Sequence, residues 1–240
     1  MKILEGIQIK DLALFIEKEK TLILSDIHLG YEEALNKQGV LIPRFQFKDI
    51  MQKMEKLINE TKPETIVLNG DIKHEFGHIS EQEWRETLQF IDCLKKNCKQ
   101  LILIKGNHDK ITDIIAEKRQ MKTTKNYSVN DIYITHGDFI PKDAEFKKAK
   151  TIIIGHEHPA ISLREGNRSE KFKCFLKGKY KDKTLIVMPS LNPINEGTDV
   201  LQERTLSPFL DQDIKSFKVF IVADKVYEFG DIKKLAAKLP

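Results

Sequence analysis

Cysteine is scarce in this chain and carries no pattern. Its three residues, Cys93, Cys98 and Cys174, form no Cys-x-x-Cys pair, and an odd, scattered set argues against a disulfide framework. Each reads as a small buried hydrophobe. Long apolar runs are missing too, since none approaches the roughly 20 residues a membrane helix needs. The amino-terminal "MKILEGIQIK" is interrupted by Glu5 too early for a secretory leader. These absences lead to the expectation of a cytoplasmic protein with no membrane segment. Repeats, low-complexity tracts and long linkers are also absent, so residues 1–240 are expected to form a single domain. Neither charge sign dominates. Forty Lys and Arg against 36 Asp and Glu give +4, a weak pointer to a polyanionic partner.

What the chain does contain is a set of five short, β-branched runs: "TLILSD", "TIVLNGD", "LILIKGNHD", "IYITHGD" and "TIIIGHEH". Bounded by Gly, Asn and Asp, they read as strands covered on both faces. Between the first three lie helical repeats, Phe47, Ile50, Met51, Met54, Leu57 and Ile58 within 45–58, then Trp84, Leu88, Ile91 and Leu94 within 80–94. Ser80 and Glu83 have the spacing of a capping box. This β-α-β-α-β order predicts a parallel sheet. After Pro159, "EKFKCFLKG", "KTLIVMPS" and "SFKVFIVADKVYEFG" predict antiparallel hairpins, and the early "LEGIQIKDLALFIEKEKTLILSD" looks alike. A second, more antiparallel sheet packed against the first would use them all.

All five runs of the first set end in groups that bind metals. They deliver Asp26 and His28, Asp71, Asn107 and His108, His136, and His156 and His158, and they hold five of the seven histidines. Merely solvated strand ends would not concentrate histidine in this way. The carboxyl ends of strands with crossover helices form the ligand crevice of such sheets. Asp26 and His28 are two apart, as are His156 and His158, so extended backbone would project each pair to one side. Asp71 follows Gly70, whose missing side chain lets a further group approach, and a carboxylate can serve two cations at once. Nitrogen and oxygen ligands without thiolate point to manganese, iron or zinc.

The ordered set Asp26-x-His28, Gly70-Asp71, Gly106-Asn107-His108-Asp109, His136-Gly137 and Gly155-His156-x-His158 resembles the calcineurin-like metallophosphoesterases. Any one motif is weak, but all five in order are specific. The resemblance implies an α/β fold, a four-layer α/β/β/α sandwich of two mixed sheets, and two divalent metal ions, with manganese the expected species. It implies that one ion takes Asp26, His28 and His158, and the other Asn107, His136 and His156, with Asp71 bridging. The division of His156 and His158 between ions comes from the resemblance alone. It also implies that His108 binds no metal and faces the substrate phosphate. Two such ions would activate water for in-line attack at phosphorus, while His108 would stabilise or protonate the leaving oxygen.

The substrate is less constrained, because this fold serves many phosphoesters. "SDIHLGYEEALNKQGVLIP", "GDIKHEFG", "GHEHPAI" and "FLKGKYKDKTLIVMPSLNP" resemble the archaeal SbcD-related phosphoesterases, close to bacterial enzymes encoded beside a DNA ligase and a helicase. That resemblance implies a DNA-processing nuclease or phosphodiesterase, single-stranded DNA as a substrate and a helicase partner of the Lhr type. No separate DNA-capping domain is expected. Eight basic residues between Arg164 and Lys183, with Lys171 and Lys173 alternating against Phe172 and Cys174, would give a strand face for a phosphate backbone. Simple solubility of an edge hairpin explains the same lysines equally well. Lys179, Lys181 and His74 are the candidate substrate contacts. A small-molecule or cyclic-nucleotide phosphatase or phosphodiesterase is the alternative activity. A non-catalytic scaffold is the third reading, although no ligand of the set has been lost.

Overall fold

Leu22 and Leu24 face one way from their strand and Ile23 the other, the alternation a pleated strand imposes. Both sides need a partner layer. The computed structural model of the chain supplies them, describing residues 1–41, 43, 45–74, 81–107, 112–166 and 168–236, without the side chains of Lys37 and Glu165.

The first sheet runs in sequence order through β1 (Lys2–Leu4), β2 (Ile7–Lys10), β3 (Ala13–Ile16), β4 (Thr21–Ser25), β5 (Thr65–Asn69), β6 (Gln100–Ile104) and β7 (Thr123–Thr124). Strands β1 to β4 pair antiparallel, and β4 to β7 pair parallel. The second sheet is built from β8 (Asn126–Val129), β9 (Ile132–Thr135), β10 (Thr151–Ile154), β11 (Pro159–Glu165), β12 (Arg168–Tyr180), β13 (Lys183–Val187), β14 (Thr198–Asp199), β15 (Lys218–Val222) and β16 (Val226–Asp231). In it, β10 lies parallel to both β9 and β13, while β12 pairs antiparallel with β11, β13 and β15.

Two sheet assignments made from the sequence are corrected here. The early hairpins join the first sheet, because tight turns return β1 to β3 directly onto β4. Strands β9 and β10 belong to the second sheet. The β8–β9 hairpin restarts the chain there, and β9 then pairs with β10 rather than with β6.

Helices α1 (Tyr31–Lys37), α2 (Gln46–Thr61), α3 (Glu81–Lys96) and α4 (Thr112–Lys118) lie in the first half, and α5 (Ala144–Lys148) and α6 (Ile232–Ala236) in the second. The two long helices stand where the helical repeats predicted them. Ser80 of the expected capping box lies outside the described residues. Three apolar clusters separate four layers. Ile50, Met54 and Leu57 of α2 and Phe90 and Leu94 of α3 pack on Leu22, Leu24, Ile66 and Leu68. Ile23, Val67 and Ile104 meet Ile134, Ile153 and Ile186 between the sheets. Ile152, Ile154, Leu185 and Val187 turn outward onto Phe146, Phe209 and Leu235. Each such side chain, fully buried, contributes about 1.5–3 kcal/mol, so strict alternation fixes both registers. Among the described residues no helix is long and apolar enough to cross a membrane.

Candidate metal centre

Parallel strands from both sheets end on one edge, and the turns beyond them converge. Asp26 and His28 follow β4, Asp71 follows β5, Asn107 follows β6, His136 follows β9, and His156 and His158 follow β10. Asp26, His28, Asp71 and His136 are buried, whereas His156 and His158 remain partly exposed. These groups form two clusters, each with ligand atoms within 4.8 Å of one another: Asp26, His28 and His158, and Asp71, His136 and His156. In the first, His158 Nε2 lies 3.2 Å from Asp26 Oδ1 and 3.2 Å from His28 Nε2. In the second, His136 Nε2 lies 3.2 Å from His156 Nδ1 and 3.0 Å from Asn107 Oδ1. Asp71 Oδ2 stands between them, 3.9 Å from His28 Nε2 and 3.5 Å from His136 Nε2.

The residues singled out by their spacing do meet, but through a backbone that is not the extended one expected. Asp26 (φ 53°), His28 (φ 47°), Asp71 (φ 45°), His156 (φ 64°) and His158 (φ 49°) are all left-handed rather than extended. Such residues cost roughly 1–3 kcal/mol each and persist only where the surroundings over-determine them. The geometry also separates His156 from His158, which spacing alone could not do. Gly70 behaves as its position suggested. A side chain there would put Cβ 2.2 Å from His136 Nδ1, so the bare turn admits the imidazole from the other sheet.

Two buried carboxylates and the imidazoles packed on them set one another's charge. Burial alone would raise the Asp26 carboxyl, but the imidazoles of His158, His136 and His28 hold it well below the usual range. Burial would lower His136, yet the Asp71 and Asp26 carboxylates push it up to about 10. His28 is pulled down to about 3 by burial and by His158, and burial also lowers His156. Asp26 Oδ2 accepts from Ser25 Oγ (2.6 Å) and His156 N (3.0 Å). Among the described residues its buried Oδ1 accepts no well-aligned hydrogen bond. That orphaned oxygen faces two imidazole nitrogens, and the whole donor set is nitrogen and oxygen. The residues fit a pair of divalent ions.

A ring of supporting groups escaped the sequence reading. Ser190 Oγ donates to Asp26 O (2.6 Å), and Asn192 Nδ2 and Gln46 Nε2 both donate to His28 O (3.1 and 2.9 Å). The Asn195 amide contacts His158 Nδ1 at 3.1 Å. Glu157, between the two histidines and fully buried, accepts from Leu206 N (2.8 Å) and Ser207 N (2.9 Å). A visible signal existed for three of these: Ser190, Asn192 and Asn195 follow β13, another strand parallel to β10.

The remaining predicted residues fall in three places. His108 lies outside the described residues. The His74 ring sits 5.7 Å from that of His28. Lys179 and Lys181 are exposed at the β12–β13 turn, and because Thr184 is level with Thr151 and Val187 with Ile154, that turn is at the sheet end away from the metal ligands. The lysine face also needs correction. Lys173 Nζ donates to Ser190 O at 2.9 Å and to Asn192 O, Lys171 Nζ reaches Gly197 O at 3.3 Å, and Lys177 Nζ reaches Ile3 O at 2.5 Å. The middle of β12, from Cys174 to Leu176, is covered on both faces, and these three lysines tie loops together instead of presenting a free cationic strip.

A family model of calcineurin-like phosphoesterases matches residues 19–213. The chain belongs to the calcineurin-like phosphoesterase family. As a member it is a metal-dependent phosphoester hydrolase, and its two mixed sheets are that family's fold. The nuclease MPE of Pseudomonas putida superposes with a TM-score of 0.66 at 16% identity, covering 91% of this chain and 92% of that one. The phosphoesterase Yfce of E. coli gives 0.41 at 12% identity, with 88% and 96% covered. Zinc-complexed Vps29 of Entamoeba histolytica gives 0.39 at 16%, with 88% and 98% covered. No curated protein sequence matches the chain.

Proposed function

We propose that this phosphoesterase is a two-metal phosphodiesterase acting on DNA, with single-stranded DNA as its substrate and manganese as its metal. The observation that carries the two-metal reading is Asp71 Oδ2, placed between an Asp26–His28–His158 group and a His136–His156 group. Asp26, His28 and His158 would hold one ion, Asn107, His136 and His156 the other, and Asp71 both. Bound there, such a pair supplies a water-derived nucleophile at neutral pH and neutralises phosphoryl oxygens. The chain itself fixes its ligands before substrate arrives, through the Ser190, Asn192 and Gln46 bonds to the Asp26 and His28 carbonyls. His108, next to Asn107 in the sequence, donates to the phosphoryl or leaving oxygen. His74 contacts the substrate beside His28.

Two things support DNA. The fold is shared almost end to end with a protein that is a nuclease, and the motifs resemble the archaeal SbcD-related enzymes. A cytoplasmic role beside an Lhr-type helicase follows from that resemblance. A small-molecule phosphatase or phosphodiesterase is the competing reading, and the engaged lysines of β12 favour it. Assays with manganese against bis(p-nitrophenyl) phosphate, p-nitrophenyl phosphate and labelled single-stranded DNA separate the two. Cleavage of the diester and of DNA is expected. Cleavage of the monoester alone would overturn the nuclease reading, and inactivity with every divalent metal would restore the scaffold.

A further inference from the structure

Rings continue outward from the first cluster. The His28 ring lies 5.0 Å from that of His158, the His74 ring 5.7 Å from that of His28, and the Tyr31 ring 4.4 Å from that of His74, each pair edge to face. His158 and His28 belong to the cluster. His74 and Tyr31 lie outside it, and both are partly exposed.

The frame beneath these two rings is the one that carries the ligands. His28 N donates to Asp71 O (2.9 Å), Leu29 N to Ile72 O (2.8 Å) and His74 N to Leu29 O (3.0 Å), and Leu29 bridges Lys73. The β4–β5 pairing therefore continues past both strand ends. Leu29, Ile72 and Lys73 point inward and are fully buried, which leaves His74 and Tyr31 at the surface beside the site. Tyr31 N donates to His28 O at 3.3 Å, which ties the tyrosine's backbone to that of a candidate ligand. An edge-to-face pair on this hydrogen-bonded, half-exposed frame offers a π surface beside the first candidate cluster. Nucleobases stack on such surfaces whatever their sequence.

We infer that Tyr31, with His74, is a specificity-determining residue that stacks the base of the nucleotide ester whose phosphate sits at the metal centre. The inference rests on the phosphodiesterase reading above and names which part of the substrate this side of the site takes. Each stacked base contributes about tenfold in affinity.

Equilibrium binding to the manganese-loaded protein tests it, with thymidine 5′-monophosphate and inorganic phosphate as the two probes. Tyr31→Leu should weaken the nucleotide about tenfold, leave phosphate unchanged and keep the wild-type melting temperature, whereas Tyr31→Phe should bind the nucleotide like wild type. Equal affinity of wild type and Tyr31→Leu for the nucleotide would overturn the inference, as would parallel weakening of both probes. If phosphate itself fails to bind the loaded wild type, the metal-centre reading fails and this inference falls with it. With bis(p-nitrophenyl) phosphate, the Tyr31→Leu change should appear in KM rather than kcat.

Discussion

Gly155, in the turn between β10 and His156, is where one methyl group should separate folding from metal binding. Its φ lies outside the left-handed region, so the penalty for Gly155→Ala is steric. The new Cβ would stand 1.9 Å from Ser25 Oγ and 2.3 Å from Asp26 Oδ2, where ordinary contacts begin near 3.4 Å. Asp26 or the turn must therefore move by about 1 Å, against a tolerance of about 0.2 Å in metal–ligand distance. The same movement breaks the bonds that Ser25 Oγ and His156 N make to Asp26. Overpacking costs about 1–3 kcal/mol, and manganese affinity should fall by at least the roughly 10- to 100-fold that follows loss of an outer partner. Gly178→Ala is the control. Its Cβ would meet the Phe217 ring at 2.2 Å, in a core away from the ligands, so it should destabilise to a similar degree and leave metal affinity intact. Urea unfolding of the metal-free proteins and calorimetric manganese titration read the two quantities. If Gly155→Ala binds manganese as wild type does, Gly155 is not holding Asp26 in place.

Other substitutions probe the rest of the centre. Asp71→Asn should weaken both ions and abolish turnover, whereas His108→Ala should keep manganese affinity in calorimetry and lose about 10²–10³ in kcat. Lys173→Met should cost about 2 kcal/mol, because it strands the buried carbonyls of Ser190 and Asn192. Burial, then Lys53, pulls Lys173 down to about 7 from 10.5. The unfolded chain therefore holds the extra proton between those values, and stability of wild type relative to Lys173→Met should rise with pH from about 7 toward 10.5. Paired unfolding curves at pH 6.5 and pH 9.5 check the sign. Lys179→Glu with Lys181→Glu should leave diester turnover unchanged, since both lie at the sheet end away from the ligands. A fall in kcat/KM would contradict that placement.

The fold was legible wherever burial alone decides. Ile23, Val67, Ile153 and Ile186 alternate with outward-facing neighbours, and that pattern names interior strands without naming their sheet. Sheet membership depends on which edge a returning chain meets. Nothing in "IYITHGD" distinguishes pairing with β6 from pairing with β10. Local signals worked only for contacts that are local, as in the β1–β4 meander, and even there the sheet was misassigned. The lysines of β12 were misread for a related reason. Alternation was read as one wet face and one dry face, whereas the middle of this strand is covered on both faces and Lys171, Lys173 and Lys177 end on backbone carbonyls.

The candidate ligands were legible because a strand end in a parallel sheet is a position that sequence can mark. Their support was not, because it reaches them from far along the chain: Gln46 and Asn192 hold the His28 carbonyl, Ser190 holds that of Asp26, and Asn195 meets the His158 ring. Left-handed backbone at five candidate ligands still benefits from that external hold, although Asp and His enter this region more readily than most residues. The rule that found the ligands would also have found most of the support. Strand β13 is antiparallel to β12 but parallel to β10, so its carboxyl end opens on the same edge. Read only as half of a hairpin, "KTLIVMPS" gave Ser190 no role. Read as a further strand end, it places Ser190 and Asn192 under the first cluster and makes Lys173, which holds their carbonyls, a structural part of the candidate metal centre.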